Sequence, residues 1–269
     1  MNGQRIVTLL TDFGTADAYV AAMKGVILAL APRAVLVDAS HEVPPQDIRA
    51  GAWTLGEYWR AFPQGTIHVA VVDPGVGTDR DALLVVADDH FFLAPDNGLL
   101  TWVLKRAGFV KLRKLKPDVH RPGQVSATFH GRDVFAHAAG LLAGEKADIE
   151  DVSVETKSVV IPAWASIHFR EDRFVGEIVH VDRFGNLITN IGRRQMEEAM
   201  GTSCRVDAGP FENIPIYATY GDAPPGELLA LFGSADTLEL AVSGGSAAKK
   251  TGLARGAAVI VRGTGGKAP

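Results

Sequence analysis

A single cysteine, Cys204, stands in the 269-residue chain. An internal disulfide is therefore excluded, as is a zinc site built on several thiolates. No apolar run approaches the roughly 20 residues that a membrane-spanning helix needs. The first residues, Met1 to Arg5, pass straight into a strand-like run, without the long apolar segment and small-residue cleavage site of a secretory leader. Neither sign of charge dominates: 27 Lys and Arg face 31 Asp and Glu, a net charge of −4. That balance argues against a broad phosphate-binding surface, though not against a local basic patch. Familiar catalytic signatures are missing too. There is no Gly-x-Ser-x-Gly elbow, no HExxH spacing among the eight histidines, and no Gly-Lys-Ser/Thr after Gly75-Val76-Gly77. Cys204 has no histidine near it in sequence, so covalent acyl transfer has no support. The expectation is a soluble, cytoplasmic protein with no membrane or nucleic-acid partner.

What is present is an ordinary globular composition, 47% apolar and 22% charged, in a chain of 28.6 kDa, enough for one large or two modest domains. The first part alternates strand and helix. Ile6 to Leu10 is an apolar β-branched strand, and Ala18 to Ala31 a helix closed by Pro32. Ala34 to Asp38 and Thr66 to Val72 are strands, and between them Asp47 caps a helix reaching about Trp59. Ala82 to Ala87, Phe91 to Leu93 and Phe109 to Leu112 are further strand candidates, and Val134 to Ala143 a further helix. Continuous apolar runs separated by helices predict strands buried on both faces, hence a largely parallel sheet in an α/β fold. From about Gly176 the pattern changes to short strands and Gly-rich turns: Gly176 to Val181, Asn186 to Asn190, Cys204 to Asp207, Glu227 to Phe232, Thr237 to Val242 and Ala257 to Arg262. This predicts a small antiparallel barrel or sandwich. The expected division is an N-terminal α/β domain over 1–165 and a C-terminal β-domain over 170–269, linked through Val159 to Asp172, with Gly263 to Pro269 frayed.

Polar residues gather where predicted strands stop. Thr11-Asp12-Phe13-Gly14 follows the first strand and Asp73-Pro74-Gly75-Val76-Gly77 the third. Ligands of open α/β sheets bind outside the carboxyl ends of strands, which makes the two aspartates a candidate pair. Read alone, each is a helix cap or turn former. The two glycines allow a tight turn that lets Asp73 and Arg80 converge. His130, in Phe129-His130-Gly131-Arg132-Asp133, is a candidate acid, base or metal ligand; its plain reading is a helix-entry residue with Asp133 as cap. Pro95-Asp96-Asn97-Gly98 and Asp182-Arg183-Phe184-Gly185-Asn186 are turns by composition. On residues alone, a metal-dependent phosphoesterase built on Asp12, Asp73 and His130 stays open, as does a non-catalytic nucleoside-binding protein.

Taken in order along the chain, these segments resemble one family. They are Thr11-Asp12-Phe13-Gly14 with Asp17, Val72 to Thr78 with Arg80, Pro95 to Gly98, Phe129 to Asp133, Asp182 with Phe184 to Asn186 and Thr189-Asn190-Ile191, and Leu238 to Val242. The chain is similar over almost its full length to the S-adenosyl-L-methionine (SAM) hydroxide adenosyltransferases, relatives of the enzymatic fluorinase and chlorinase. The resemblance implies hydrolysis of SAM to adenosine and L-methionine, without metal or other cofactor. It implies an N-terminal α/β sandwich, a small C-terminal antiparallel β-barrel, and a homotrimer whose active sites lie between the N-terminal domain of one subunit and the C-terminal domain of the next.

The family's water-activating triad matches Asp73, Arg80 and His130. Asp12 matches the acceptor of the ribose diol, and Asn186 a residue that also reaches the ribose. Asp17 and Asp182 match positions near the methionine amino group, and Ser234, Glu239 and Val242 lie in the segment bordering adenine. Phe232-Gly233-Ser234-Ala235-Asp236 departs there from the usual Asn-Ser-x-Gly pattern. Halogenating relatives carry other residues at the Asp73 and His130 positions and a halide-holding serine where this chain has Gly131, which favours water as the nucleophile. The residue types suit the chemistry. A sulfonium substrate is already activated at C5′ and expels a neutral thioether, so the site must mainly aim a water and accept its proton. A carboxylate accepting from both ribose hydroxyls penalises deoxy substrates.

Overall fold

The computed structural model describes residues 4–120, 123, 125–170, 173–201 and 204–263. Residues 264–269, part of the stretch expected to fray, lie outside these, as do Glu171 and Asp172 of the expected linker. The chain divides into two compact units, Met1–Ile161 and Pro162–Pro269.

The β-branched and apolar runs of the first unit form a seven-stranded sheet. β1 (Ile6–Thr11), α1 (Tyr19–Leu30), β2 (Val35–Ser40), α2 (Ile48–Tyr58) and β3 (Ile67–Val71) come first. There follow β4 (Ala82–Ala87), β5 (His90–Pro95), α3 (Thr101–Arg106) and β6 (Val110–Leu115). A π-helical turn over Gly131–Ala136 then runs into α4 (His137–Ala143), α5 (Ile149–Val152) and β7 (Ser153–Glu155). Asp47 caps α2 as expected, its side chain accepting from Ala50 N at 3.0 Å. The strand order is β2-β1-β3-β5-β4-β6-β7. Neighbours from β2 to β5 are parallel, and each later pairing reverses direction, so five of the seven strands point the same way.

Period-two alternation assigns the two faces of the central strands. Val7, Leu9, Ile67, Val69 and Val71 join Met23 and Ile27 of α1 and Ala138 and Ala139 of α4 in one core. Thr8 and His68 point to the other face, where they meet Tyr58 and Phe62. Helices thus cover both faces, so that even the polar Thr8 and His68 of β1 and β3 are buried.

The second unit is built from short antiparallel strands. They are β8 (His168–Arg170), β9 (Arg173–Val181), β10 (Leu187–Gly192), β11 (Cys204–Ala208), β12 (Phe211–Pro215), β13 (Leu228–Phe232), β14 (Thr237–Val242) and β15 (Ala258–Gly263). α6 (Arg193–Met200) follows β10 and α7 (Ala247–Thr251) follows β14. The order β12-β11-β15-β9-β10-β14-β13 nearly closes on itself through a bridge between Ile216 and Ala230. The result is an antiparallel, almost closed barrel whose interior holds Ile178, Leu187, Ile191, Val206, Leu238, Leu240, Val259 and Val261. Among the described residues no helix is long and apolar enough to cross a membrane.

The α2 face of the first sheet buries a polar chain. Tyr58 Oη lies 3.2 Å from Thr8 Oγ1, which lies 2.8 Å from His68 Nδ1. His68 Nε2 in turn lies 3.1 Å from His90 Nδ1. Burial, with a smaller contribution from His90, holds the His68 imidazole down at about 3, and burial also lowers His90. The folded chain therefore refuses protons that the unfolded chain binds from its ordinary value of about 6.5 downward, so stability falls as pH drops from there toward 3. His68 alone is expected to cost about 2 kcal/mol between pH 7 and pH 5. Denaturant unfolding at both pH values and fixed protein concentration checks this. The His68→Gln chain should show a smaller drop by about that amount, and an unchanged drop would refute the assignment.

Candidate active site

The strand order of the first sheet switches direction at β1. β1 leads through α1 to β2 on one side of it, and β2 returns through α2 to β3 on the other. Connections leaving the carboxyl ends of β1 and β3 therefore diverge, the arrangement at which open α/β sheets bind ligands. Thr11 pairs with Val71 in register, so Asp12 and Asp73 stand just past two adjacent strand ends.

Asp73 begins a tight turn. Val76 N donates to its carbonyl at 3.2 Å, and Thr78 N donates to the Gly75 carbonyl at 3.2 Å. Gly77 has φ +80°, and a Cβ there would collide with the Ala127 carbonyl oxygen. The turn brings Arg80 back so that its Nε donates to Asp73 Oδ1 at 2.9 Å and Oδ2 at 3.1 Å, while Nη2 also donates to Oδ2. The side chains are only 4% (Asp73) and 11% (Arg80) exposed, so this fork is a charge-assisted contact largely shielded from water. Phe135 lies under the guanidinium, 5.4 Å from its centre. The same Nη2 lies 3.0 Å from His130 Nδ1. A guanidinium only donates, so Nδ1 is the acceptor and the neutral His130 ring carries its hydrogen on Nε2. Burial lowers the His130 imidazole from its ordinary value and the Arg80 charge lowers it further, against weaker opposing effects of Asp73 and Asp133.

A motif that reads as a plain turn and one that reads as a helix entry brace this group. Asn97 Nδ2 donates to the Val72 carbonyl at 2.9 Å, fixing the chain one residue before Asp73. Asp133 is buried and accepts from Ser126 N at 2.9 Å and from Arg132, which fastens the loop ahead of His130. His130 enters a π-helical turn, and π-turns recur at functional sites. Gly131 permits that turn to close on Phe13, because a Cβ would sit 3.3 Å from the Phe13 ring and 3.4 Å from Met23 Sδ.

Asp12 is half-buried, and its Oδ2 accepts from Gln46 N at 2.7 Å. Phe13, next to it, packs with Tyr19 and Phe129 at ring separations of 5.7 and 6.0 Å, so the loop after β1 and the loop before His130 share an aromatic contact. Asp17 is exposed on the bend leading into α1.

The remaining predicted residues belong to the barrel. Asp182 and Asn186 are tied to each other in the β9–β10 turn: Asp182 Oδ1 accepts from Asn186 N at 2.8 Å and from Phe184 N at 2.9 Å, and Oδ2 from Asn186 Nδ2 at 2.9 Å. Gly185, at φ +85°, lies against Ser246, the cap of α7. Glu239, buried on β14, accepts from the Tyr220 hydroxyl. Burial, reinforced by Glu239 and by the charge of Asp182, raises the Tyr220 phenol well above its ordinary value. Val242 is buried at the end of β14, and Ser234 is exposed on the turn before it. Tyr220 has no sequence signal. It stands in a Gly- and Pro-rich loop, and only the fold carries it to Glu239.

Comparison with known proteins agrees across both units. The model for the N-terminal domain of SAM hydroxide adenosyltransferases matches residues 7–153 and that for the C-terminal domain residues 176–260. A Salinispora tropica protein named (R)-S-adenosyl-L-methionine hydrolase is 37% identical, covering 93% of this chain and 95% of its own. A Thermus thermophilus protein of the same name is 38% identical, covering 94% and 97%. A crystal structure of a conserved protein from Thermotoga maritima superposes with a TM-score of 0.83 at 32% identity, covering 95% of this chain and 99% of that one. With both domain models matched in order, the chain belongs to the SAM hydroxide adenosyltransferase family.

Proposed function

We propose that this protein hydrolyses S-adenosyl-L-methionine to adenosine and L-methionine by in-line attack of water on C5′, without a metal. The observation that carries this reading is the guanidinium of Arg80 held between Asp73 and His130 beyond the ends of β1 and β3. Asp73 accepts a hydrogen bond from the water, and the His130 Nε2–H donates one to it, so the oxygen lone pair is aimed at the carbon. As the new C5′–O bond forms, the C5′–S electrons stay on sulfur as the neutral thioether. The attacking oxygen becomes strongly acidic, so even a carboxylate paired with arginine takes its proton and later passes it to solvent. Orientation of this kind supplies up to roughly 7–11 kcal/mol, and cancellation of charge in the transition state is aided by a site shielded from water.

Asp12 receives the ribose hydroxyls. Asn186 reaches the ribose, Asp17 and Asp182 lie toward the methionine amino group, and Ser234, Glu239 and Val242 border adenine. His130 Nδ1 accepts from Arg80 and the neutral ring carries its hydrogen on Nε2, so neither nitrogen offers a metal a lone pair, which weighs against a metal phosphoesterase. We further propose a cytoplasmic homotrimer, with each site formed by the N-terminal domain of one subunit and the C-terminal domain of its neighbour. Resemblance to the family supports the assembly, and the lone buried thiol of Cys204 suits a reducing compartment.

Chromatography of the products after incubation with SAM should show adenosine and methionine in equal amounts, with EDTA making no difference. Loss of activity in EDTA would restore the metal reading. Asp73→Asn and His130→Ala should each lower kcat by roughly 10²-fold or more while KM moves little; parent-like turnover in both would remove the triad. Because His130 titrates below its ordinary value, kcat/KM should hold across neutrality and fall on the acid side with a midpoint below about 6.5, a limb that His130→Ala should lack. Light scattering should return the mass of three chains; that of one chain would exclude the shared-site arrangement.

A further inference from the structure

The loop that carries Asp12 is clasped by a histidine with no part in the chemistry above. His41, buried just past β2, lies with Nδ1 2.8 Å from Thr11 Oγ1 and Nε2 3.0 Å from Asp38 Oδ1. Lys24 Nζ reaches the other Asp38 oxygen at 2.6 Å. Burial raises the Asp38 carboxyl, but hydrogen bonds from Lys24 and His41 outweigh this and leave it below its ordinary range, hence ionised. An ionised Asp38 accepts, which places a hydrogen on His41 Nε2 and, in a neutral ring, leaves Nδ1 to accept from the Thr11 hydroxyl. Thr11 Oγ1 accepts in turn from Phe13 N at 3.2 Å. The donations then run from Phe13 N through Thr11 and His41 to Asp38, where Lys24 donates from the other side, and such chains polarise each member.

The main chain adds to the clasp. Gly14 N donates to the His41 carbonyl at 2.8 Å, and five residues beyond His41 the N–H of Gln46 meets Asp12 Oδ2. Gln46 adopts φ +65°, a left-handed conformation uncommon for a residue with a side chain. It is the kind of local strain that persists only where the surroundings hold it. Asp12 thus sits between residues 11 and 13, both fixed through Thr11 Oγ1, while the segment from 41 to 46 grips it from the opposite side.

We infer that His41 is a positioning residue that sets the Asp12 carboxylate for the ribose hydroxyls, and through it the preference for ribo- over deoxyribonucleoside substrates. This rests on the reading of Asp12 as the diol acceptor. A carboxylate that accepts two hydroxyls must hold both oxygens in place, and discrimination against a missing hydroxyl depends on that fixity. Loosening Thr11 lets the carboxylate turn away, so the ribose form loses its advantage while an analogue lacking one hydroxyl has less to lose.

The test is kcat/KM for S-adenosyl-L-methionine and for its 2′-deoxy and 3′-deoxy analogues. The variants are Thr11→Val, Thr11→Ser, His41→Asn and, as reference, Asp12→Asn, each also followed by thermal melting. Thr11→Val keeps the shape of the side chain and removes the hydroxyl; Thr11→Ser keeps the hydroxyl. Thr11→Val and His41→Asn should reduce the ratio of SAM to deoxy-analogue kcat/KM by about tenfold or more, and Thr11→Ser should leave it within about twofold. A merely structural role lowers the melting temperature and slows all substrates alike, leaving the ratio at the parent value, and that result overturns the inference. If Asp12→Asn collapses the ratio while Thr11→Val and His41→Asn do not, the clasp alone is wrong. If Asp12→Asn keeps the ratio, the diol assignment fails and the clasp fails with it.

Discussion

Four hydrogen bonds from one guanidinium organise the candidate site. Arg80 reaches Asp73 with Nε and Nη2 and His130 with Nη2, joining two loops that are 50 residues apart in sequence. A lysine could neutralise Asp73, but its single ammonium lacks the planar fork that fixes two partners at set angles. Removing Arg80 would leave a buried carboxylate without its counter-charge, a large cost in a shielded place. The same contact decides how the imidazole behaves. With Nδ1 facing a permanent donor, the ring is restricted to one tautomer and presents its N–H outward.

This arrangement follows from the sheet. Parallel strands whose connections diverge leave their carboxyl ends uncovered, and the two acidic residues stand at those ends. The apolar alternation that packs Val7, Leu9 and Val69 against α1 and α4 holds the strand ends in register. The candidate site residues of the first unit are then carried on short turns: the Gly75–Gly77 turn, the π-helical turn after His130, and the loop after β1. Rigid strands set position, and loops supply the functional groups.

Much of this was legible in the amino-acid order. Long apolar runs such as Thr66 to Val72 announce buried strands, and Asp47 announces a helix start, because both signals are local. Short elements were not legible. α3 spans six residues, fewer than two turns, and its buried Trp102 and Val103 show no periodicity at that length. β12 carries Asn213 at φ +57° and ends in Pro215, features that argue against a strand, and it forms by pairing with β11. At the site, acidic residues after strands and a histidine before a helix stand out singly, yet their convergence is a tertiary fact. His41 gave no signal of its own. Only the parallel register, which pairs Leu10 with Ser40, sets Thr11 beside it. The hydrophobic spacing announces only an ordinary helix starting at Val134, three residues into the π-helical turn, since one extra residue per turn leaves no mark on that spacing.

The crowding at Gly77 has a further meaning for how the chain tolerates change. There one loop's backbone rests on the carbonyl of the other, with no intervening side chain to act as a cushion. The gap that separates guanidinium from imidazole is gauged by main chain against main chain. One methyl group at position 77 would therefore wedge the two loops apart.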